Sequence, residues 1–199
     1  MASCITNGID ITGVRASLYP MRTDFANQIL TSVAATDTTA VWQQTDLFST
    51  VYRGVAANVV DAAAGLFVNA YDTSTHLVGE FTFSKGCPGD IAGDSYLTGQ
   101  QLRPNATVIQ EKGSFPVHCK YSFYTFGRDD YMAEIAQIVA LAKAAGLQPK
   151  SAHYCTFLTG TAAQLFAYFD QILNYAHAHM SHYVVEATVS VNSPSLEEQ

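Results

Sequence analysis

The 199-residue chain has no long apolar run, no paired-cysteine motif and no glycine-rich phosphate loop. No segment approaches the roughly 18 apolar residues of a membrane helix, so no membrane insertion is expected. The start, MASCITNGIDITG, lacks the charged and then apolar segments of a secretory signal, which favours the cytoplasm. Neither G-x-G-x-x-G nor G-x-x-x-x-G-K-[ST] occurs, so no nucleotide cofactor is expected.

Basic residues are scarce: 10 Lys and Arg stand against 17 Asp and Glu, for a formal net charge of −7. Nucleic acid binding needs a basic face, so this balance argues against it, whereas a small cationic ligand is compatible with it. The four cysteines (Cys4, Cys87, Cys119 and Cys155) lie far apart, with no C-x-x-C. In a reducing compartment they are most simply free thiols.

An internal repeat is present, with an offset of 106 positions. THLVGEFTFSKGCPGD (75–90) and SHYVVEATVSVNSPS (181–195) keep every second residue. The pairs are His76/His182, Val78/Val184, Glu80/Glu186, Thr82/Thr188, Ser84/Ser190 and Pro88/Pro194. Two upstream stripes of apolar residues at helical spacing repeat at the same offset, so the pattern predicts duplication of a whole structural unit.

Each half shows the pattern strand, helix, hairpin, helix, strand. The predicted elements are 13–19, 24–35 with Thr23 as N-cap, 41–53, 56–71 and 76–83, then 119–124, 131–145, 147–159, 162–178 and 182–191. This βαββαβ order predicts an α+β fold of tandem ferredoxin-like repeats, with antiparallel sheets and helices on one face. The predicted domains are 1–90 for the first repeat, 91–117 for a linker, and 118–199 for the second repeat.

Alternation along the strands assigns the repeated polar residues to one sheet face. Leu77, Phe81, Phe83, Tyr183, Val185 and Val189 should face the helices, together with Ala16 and Leu18. His76, Glu80, Thr82, Ser84 and their counterparts should face the other side, as should Arg15, Ser17 and Tyr19. Two explanations stay open: a sheet-to-sheet interface, within the chain or in a dimer, whose buried polar groups are paired, or a polar ligand pocket.

At SLYPM (17–21), AATDTTAVWQQTD (34–46), STVYRG (49–54) and GCPGD (86–90), the chain closely resembles the YkoF-type family. These are tandem ferredoxin-like (ACT-like) proteins that bind thiamine and its hydroxymethylpyrimidine half. The resemblance covers nearly the whole chain. It implies a non-catalytic homodimer with one thiamine-type site per repeat and no cofactor. It also implies a role in salvage or uptake of the thiamine precursor, beside an ABC transporter.

Thiamine presents an aminopyrimidine, a thiazolium cation and a hydroxyethyl tail, which call for carboxylate acceptors, aromatic faces and hydroxyls. With the resemblance, the ligand-binding candidates are Ser17, Tyr19, Asp37, Trp42, Asp46, Ser49 and Thr50, then Ser122, Tyr124, His153 and Thr156. Asp37 and Asp46 also fit turn residues, and Trp42 also fits a core position. Lys143 and Ala152 replace Asp37 and Asp46 in the second repeat, which predicts two unequal sites, the first tighter for thiamine.

Rival functions have weaker support from the sequence. In HAHMSH (177–182), His177 and His179 cannot share a helical face, whereas a zinc site needs three or four converging ligands. Cys155 and His153 alternate on a predicted strand, but no orienting third group or oxyanion motif accompanies them. The alternative is an ACT-like regulatory module that binds an amino acid or another small metabolite at a subunit interface.

Overall fold

The computed structural model describes residues 5–6, 9–85, 97–127 and 129–195. The first half contains β1 (Ile5–Thr6), β2 (Ile9–Asp10), β3 (Thr12–Pro20), α1 (Phe25–Ala35), β4 (Trp42–Thr45), β5 (Thr50–Gly54), α2 (Ala56–Ala70) and β6 (Leu77–Lys85). After α3 (Ala106–Lys112), the second half contains β7 (Pro116–Phe126), α4 (Tyr131–Ala144), β8 (Lys150–Ala152), β9 (Cys155–Thr161), α5 (Ala162–His179) and β10 (His182–Val191). Cys4, Cys87 and the GCPGD motif (86–90) lie outside the described residues.

Strands β3 to β10 form one eight-stranded antiparallel sheet in the order β4-β5-β3-β6-β10-β7-β9-β8. Each half contributes four strands in the ferredoxin-like order, and the pair β6–β10 joins the halves. The chain therefore has the tandem ferredoxin-like α+β fold that the repeat predicted. The interpretation that the two polar faces pack on each other within the chain is wrong, because the halves meet along strand edges and both faces point the same way.

The helices cover the other face of the sheet, and their core runs across the boundary between the halves. The helix-facing residues predicted on β3, β6 and β10 are all buried. Phe67 of α2 lies 5.9 Å from Phe166 of α5, between ring centroids, and Phe166 lies 5.3 Å from Phe81 of β6. The Phe166–Phe81 contact is edge-to-face, an arrangement that stabilises beyond the burial of apolar area. The two repeats thus share one core.

The predicted elements agree with the structure to within three residues at their ends. Thr23 as N-cap is wrong: the N-cap of α1 is Asp24, whose carboxylate pairs with Arg22 and makes no capping hydrogen bond. The Thr161–Gln164 capping box of α5, with the sequence T-A-A-Q, was not predicted. Cys119 and Cys155 are free thiols, as predicted. Among the described residues, none of the helices combines the length and the hydropathy of a membrane-spanning segment.

The connection between the repeats contains a helix that the sequence did not reveal, α3. Asn58 of α2 accepts hydrogen bonds from the backbone of Leu102 and Arg103. Asn105 donates to Asp61 of α2 and lies so near Gly65 that a Cβ there would come within 2.7 Å of it. These contacts fix the connection against α2. Strand β7 begins at Pro116, inside the predicted linker, and the linker boundaries themselves stay a prediction.

Candidate functional site

The sheet face away from the helices, called here the open face, carries the repeated polar residues. Arg15, Tyr19, Glu80, Thr82 and Glu186 are exposed on it. The other predicted members are half-buried: Ser17, His76, Ser84, His182, Thr188 and Ser190. The alternation in the sequence therefore placed these side chains correctly.

Pairing of β6 with β10 gives this face a local two-fold symmetry. Phe81 pairs with Ala187, its own counterpart in the repeat, while Glu80 lies opposite Thr188 and Glu186 opposite Thr82. Each pair is thus the symmetry copy of the other. The repeated polar alternation is explained by this arrangement, because the kept residues meet across the join and lie between the two halves.

A groove of about 490 Å³ lies on the open face, mainly over the second half. Strands β6, β7, β9 and β10 and the β8–β9 turn contribute to it. Its lining residues are Glu80, Phe81, Thr82, Lys120, Tyr121, Ser122, Tyr124, His153, Tyr154, Cys155, Glu186, Ala187 and Thr188. The set combines two carboxylates, one ammonium, hydroxyls and aromatic rings, which suits a small polar or cationic ring system.

The β8–β9 turn is held over the groove by Ser122, whose hydroxyl donates to the carbonyl oxygen of Tyr154 at 3.4 Å. Tyr154 has a φ of +66° and is fully exposed. A bulky residue rarely adopts this backbone region, so the backbone is locally strained at this position. The exposed ring is free to meet a ligand.

The first half has the same hydrogen bond but a more closed turn. Ser17 donates to the carbonyl oxygen of Phe48 at 3.1 Å, as its counterpart Ser122 does to Tyr154. Arg15 donates to both Asp46 and Ser49 at 2.7 Å, and Asp46 also accepts from the backbone N–H of residues 48 and 49. The hydrogen bond from Arg15, with those from the turn backbone, lowers the pKa of Asp46 to about 2. Asp46 is therefore ionised at neutral pH.

Of the four remaining predicted residues, Asp37, Thr50 and Thr156 are not brought to the open face. Asp37 follows α1, where its carboxylate accepts from Thr39 in an Asx turn and its backbone bonds Asn105. Thr50 and Thr156 pair with the buried Ala16 and Tyr121, on the helix side of the sheet. Trp42 is half-buried on edge strand β4, opposite Arg53, and Arg53 lies opposite Gly13 of β3, so strand alternation places Trp42 on the open face near its edge. Ser17, Tyr19, Asp46 and Ser49 are brought together in the first half. Ser122, Tyr124 and His153 come together in the second.

Ten groove residues were absent from the sequence-derived candidates, among them Glu80, Lys120, Tyr154, Cys155 and Glu186. Alternation did assign both glutamates to the outer face. What was missing was the strand order, because only the pairing of β6 with β10 and of β10 with β7 places Glu80 near Lys120. Tyr154 belongs to no recognisable sequence motif. Its exposure follows from the backbone geometry of the turn, which the sequence pattern does not show.

The histidines of HAHMSH (177–182) have separate partners. His177 lies 2.8 Å from Asp10, His179 lies 2.8 Å from the carbonyl oxygen of Tyr175, and the His182 ring contacts Phe126. In the described part of the chain, no group of three or more His, Cys, Asp or Glu side chains is placed to hold a metal ion.

Comparison with known proteins gives two matches. The YKOF-related family matches the chain twice, over residues 11–90 and 116–196. A Bacillus subtilis (strain 168) protein is 38% identical over 186 residues, 93% of this chain and 92% of that protein. Its name is "Putative HMP/thiamine-binding protein YkoF", HMP being hydroxymethylpyrimidine. Both matches span the two halves of the chain, which are joined by the pairing of β6 with β10.

Proposed function

Because the chain belongs to the YKOF-related family, we propose that it binds thiamine, or its hydroxymethylpyrimidine moiety, on the open face without transforming it. Each half would hold one site. The observation that carries the proposal is the groove of about 490 Å³, whose volume is within the range of small-molecule sites. It combines aromatic rings with carboxylates at the join between the halves.

The groove has the groups that thiamine needs. Tyr124 and Tyr154 offer faces for the aminopyrimidine or the thiazolium, and a cation over such a ring gains about 0.5–2 kcal/mol. Glu80 and Glu186 can accept from the exocyclic amine or lie near the cation. The Ser122 oxygen can accept a hydrogen bond from the hydroxyl of the hydroxyethyl tail. Its own O–H group continues to donate to the carbonyl oxygen of Tyr154.

Two unequal sites are part of the proposal. The first half has an ionised Asp46 at its turn, with Ser49, whereas Ala152 and Cys155 take these places in the second half. A carboxylate near a cation favours binding, so the first site should bind thiamine more tightly. Calorimetry that fits two identical sites would contradict this.

Salvage or uptake of the thiamine precursor, a link to an ABC transporter and a homodimer stay predictions from the family resemblance. Native mass spectrometry of protein purified from its own cell reports bound ligand, stoichiometry and oligomeric state together. We expect a mass increment of thiamine or hydroxymethylpyrimidine on a dimer. A monomer without either compound would count against this part of the proposal.

Thermal stabilisation and calorimetry with thiamine, hydroxymethylpyrimidine and a panel of amino acids test the binding function itself. We expect the melting temperature to rise with thiamine or the pyrimidine, and the ligand to be recovered chemically unchanged. If only amino acids raise the melting temperature, the protein is a regulatory module that binds an amino acid, and the thiamine-binding proposal is wrong. If incubation converts thiamine to a product, the protein is an enzyme.

A further inference from the structure

Glu80 belongs to both halves of the open face. It lies on β6 in the first repeat, where its carboxylate accepts a hydrogen bond from the Tyr19 hydroxyl at 3.3 Å. The same side chain lines the groove of the second half, since β6 pairs with β10 and places Glu80 opposite Thr188. The Glu80 carboxylate thus contacts Tyr19, a candidate residue of the first site, and also borders the groove of the second half.

The symmetry-related position differs. Tyr124, the counterpart of Tyr19, lines the groove, and so does Glu186, the counterpart of Glu80. Among the described residues, no carboxylate accepts a hydrogen bond from the Tyr124 hydroxyl, in contrast to the bond from Tyr19 to Glu80. Of the two glutamates at the join, Glu80 is therefore the one that accepts a hydrogen bond from a tyrosine of its own half. The Tyr19–Glu80 bond breaks the symmetry between the two sites.

We propose that Glu80 is a specificity-determining residue of the second-half groove and that Tyr19 tunes it from the first half. This inference rests on the proposed function. A hydrogen bond from a phenol takes up part of the carboxylate's accepting capacity and draws the group toward Tyr19. A cationic ligand in the groove competes for the same charge. Freeing Glu80 from Tyr19 therefore strengthens binding in the other half.

The two sites are coupled by the same argument. A ligand in the first half that engages the Tyr19 hydroxyl releases Glu80 toward the second groove. By linkage, occupancy of the second groove then favours the first to the same extent. The coupling needs no large movement, because only one side-chain hydrogen bond is exchanged.

The experiment is a thiamine titration followed by amide NMR, in which resonances of β3 and β5 report the first half and those of β7 and β9 the second. In Tyr19→Phe, the affinity of the second half should rise about two- to fivefold, the range of an exposed charge interaction. In Glu80→Gln it should fall by a similar factor, less so at high salt. In the double variant, Tyr19→Phe should add nothing to Glu80→Gln.

Matched controls separate this effect from a general change of surface. Tyr131→Phe removes a phenol at the start of α4, and Glu111→Gln removes a carboxylate on α3, both exposed on the helix side. Neither should change the second-half affinity. An unchanged second half in Tyr19→Phe, or an effect that persists in the Glu80→Gln background, would overturn the inference and leave the binding function standing. Absence of thiamine shifts in the wild-type protein would instead overturn the proposed function.

Discussion

The hairpin turns of the two halves lie at equivalent places on the open face and carry different side chains. In the first half, Arg15 ties Asp46 and Ser49 into a closed network. In the second half, Ala152 and Cys155 occupy those two positions and the groove opens beside them. The serine that supports each turn, Ser17 or Ser122, is the same. The duplication has thus kept the hydrogen bond that positions the turn and changed the groups that the turn presents.

One fold can therefore present different chemical groups at two equivalent turns. The contacts that shape the sheet are repeated because both halves need the same backbone. The charged groups at the turns are not needed by the sheet, so they can differ without cost to the fold. Substitutions in the core, at the turns and at the helix ends distinguish properties that the halves share from properties of one half alone.

The shared core should make the halves unfold together. Phe67 and its counterpart Leu173 are both fully buried, so Phe67→Ala should cost about 3–5 kcal/mol and Leu173→Ala about 2–5 kcal/mol of unfolding free energy. Each should lower a single transition in urea, followed by circular dichroism. Leu30→Ala, at a side chain that is 68% exposed, serves as the control with little effect. Two separate transitions, only one of them sensitive, would show independent halves.

Asp46 should matter to one half alone. Asp46→Asn keeps an acceptor for the turn backbone but removes the charge, so thiamine affinity in the first half should fall about fivefold, the upper end for an exposed charge interaction. The second half should change less. Amide NMR titration separates the two sites, and Asp37→Asn is the matched control, since Asp37 lies in an Asx turn after α1. Equal losses from both substitutions would place the ligand differently from our proposal.

The reverse change should make the second half more like the first. Ala152→Asp puts a carboxylate where Asp46 stands in the repeat, with Lys120 in place of Arg15. Thiamine affinity in the second half should rise about threefold, in line with a partly exposed charge pair. Ser151→Asp adds the same charge at the neighbouring position of β8, whose side chain points to the other face of the sheet. A rise with both variants would reflect net charge only.

The smallest effect concerns pH and the ends of the two long helices. His177, near the end of α5, contacts Asp10, Thr12 and Tyr183. Lys85 forms an ion pair with the same Asp10. Tyr71, the counterpart of His177 in the first repeat, stacks on Phe115 instead. Burial lowers the pKa of His177 below 6.5, although Asp10 opposes this. The unfolded chain then binds more protons, so stability falls as the pH drops below about 6.5.

Melting temperatures at about pH 7.5 and about pH 5.5 check this dependence. The loss on acidification should be smaller in His177→Gln than in the wild-type protein. Leu30→Ala, at an exposed side chain without a titrating group, is the control and should keep the wild-type slope. A wild-type slope in His177→Gln would assign the pH dependence to other groups.

Much of the fold followed from local pattern. Polar and apolar residues alternate along β6 and β10, and the helical stripes repeat with a constant offset, so element type and facing side were predictable. The site was less so. Asp37 and Asp46 stand nine positions apart in one motif, yet the first lies at a helix end and the second at an open-face turn. A contiguous motif cannot show that its two ends lie on different sides of a sheet.

Side-chain periodicity is a local property of the chain, so the amino-acid pattern is enough to establish two βαββαβ units, each with one apolar and one polar sheet face. The pairing of β6 with β10 is visible only in the folded chain. No local signal selects which strand edges meet, since backbone N–H and C=O groups are the same in every strand. That pairing brings Glu80 of the first repeat into the groove of the second and gives the two halves a common boundary.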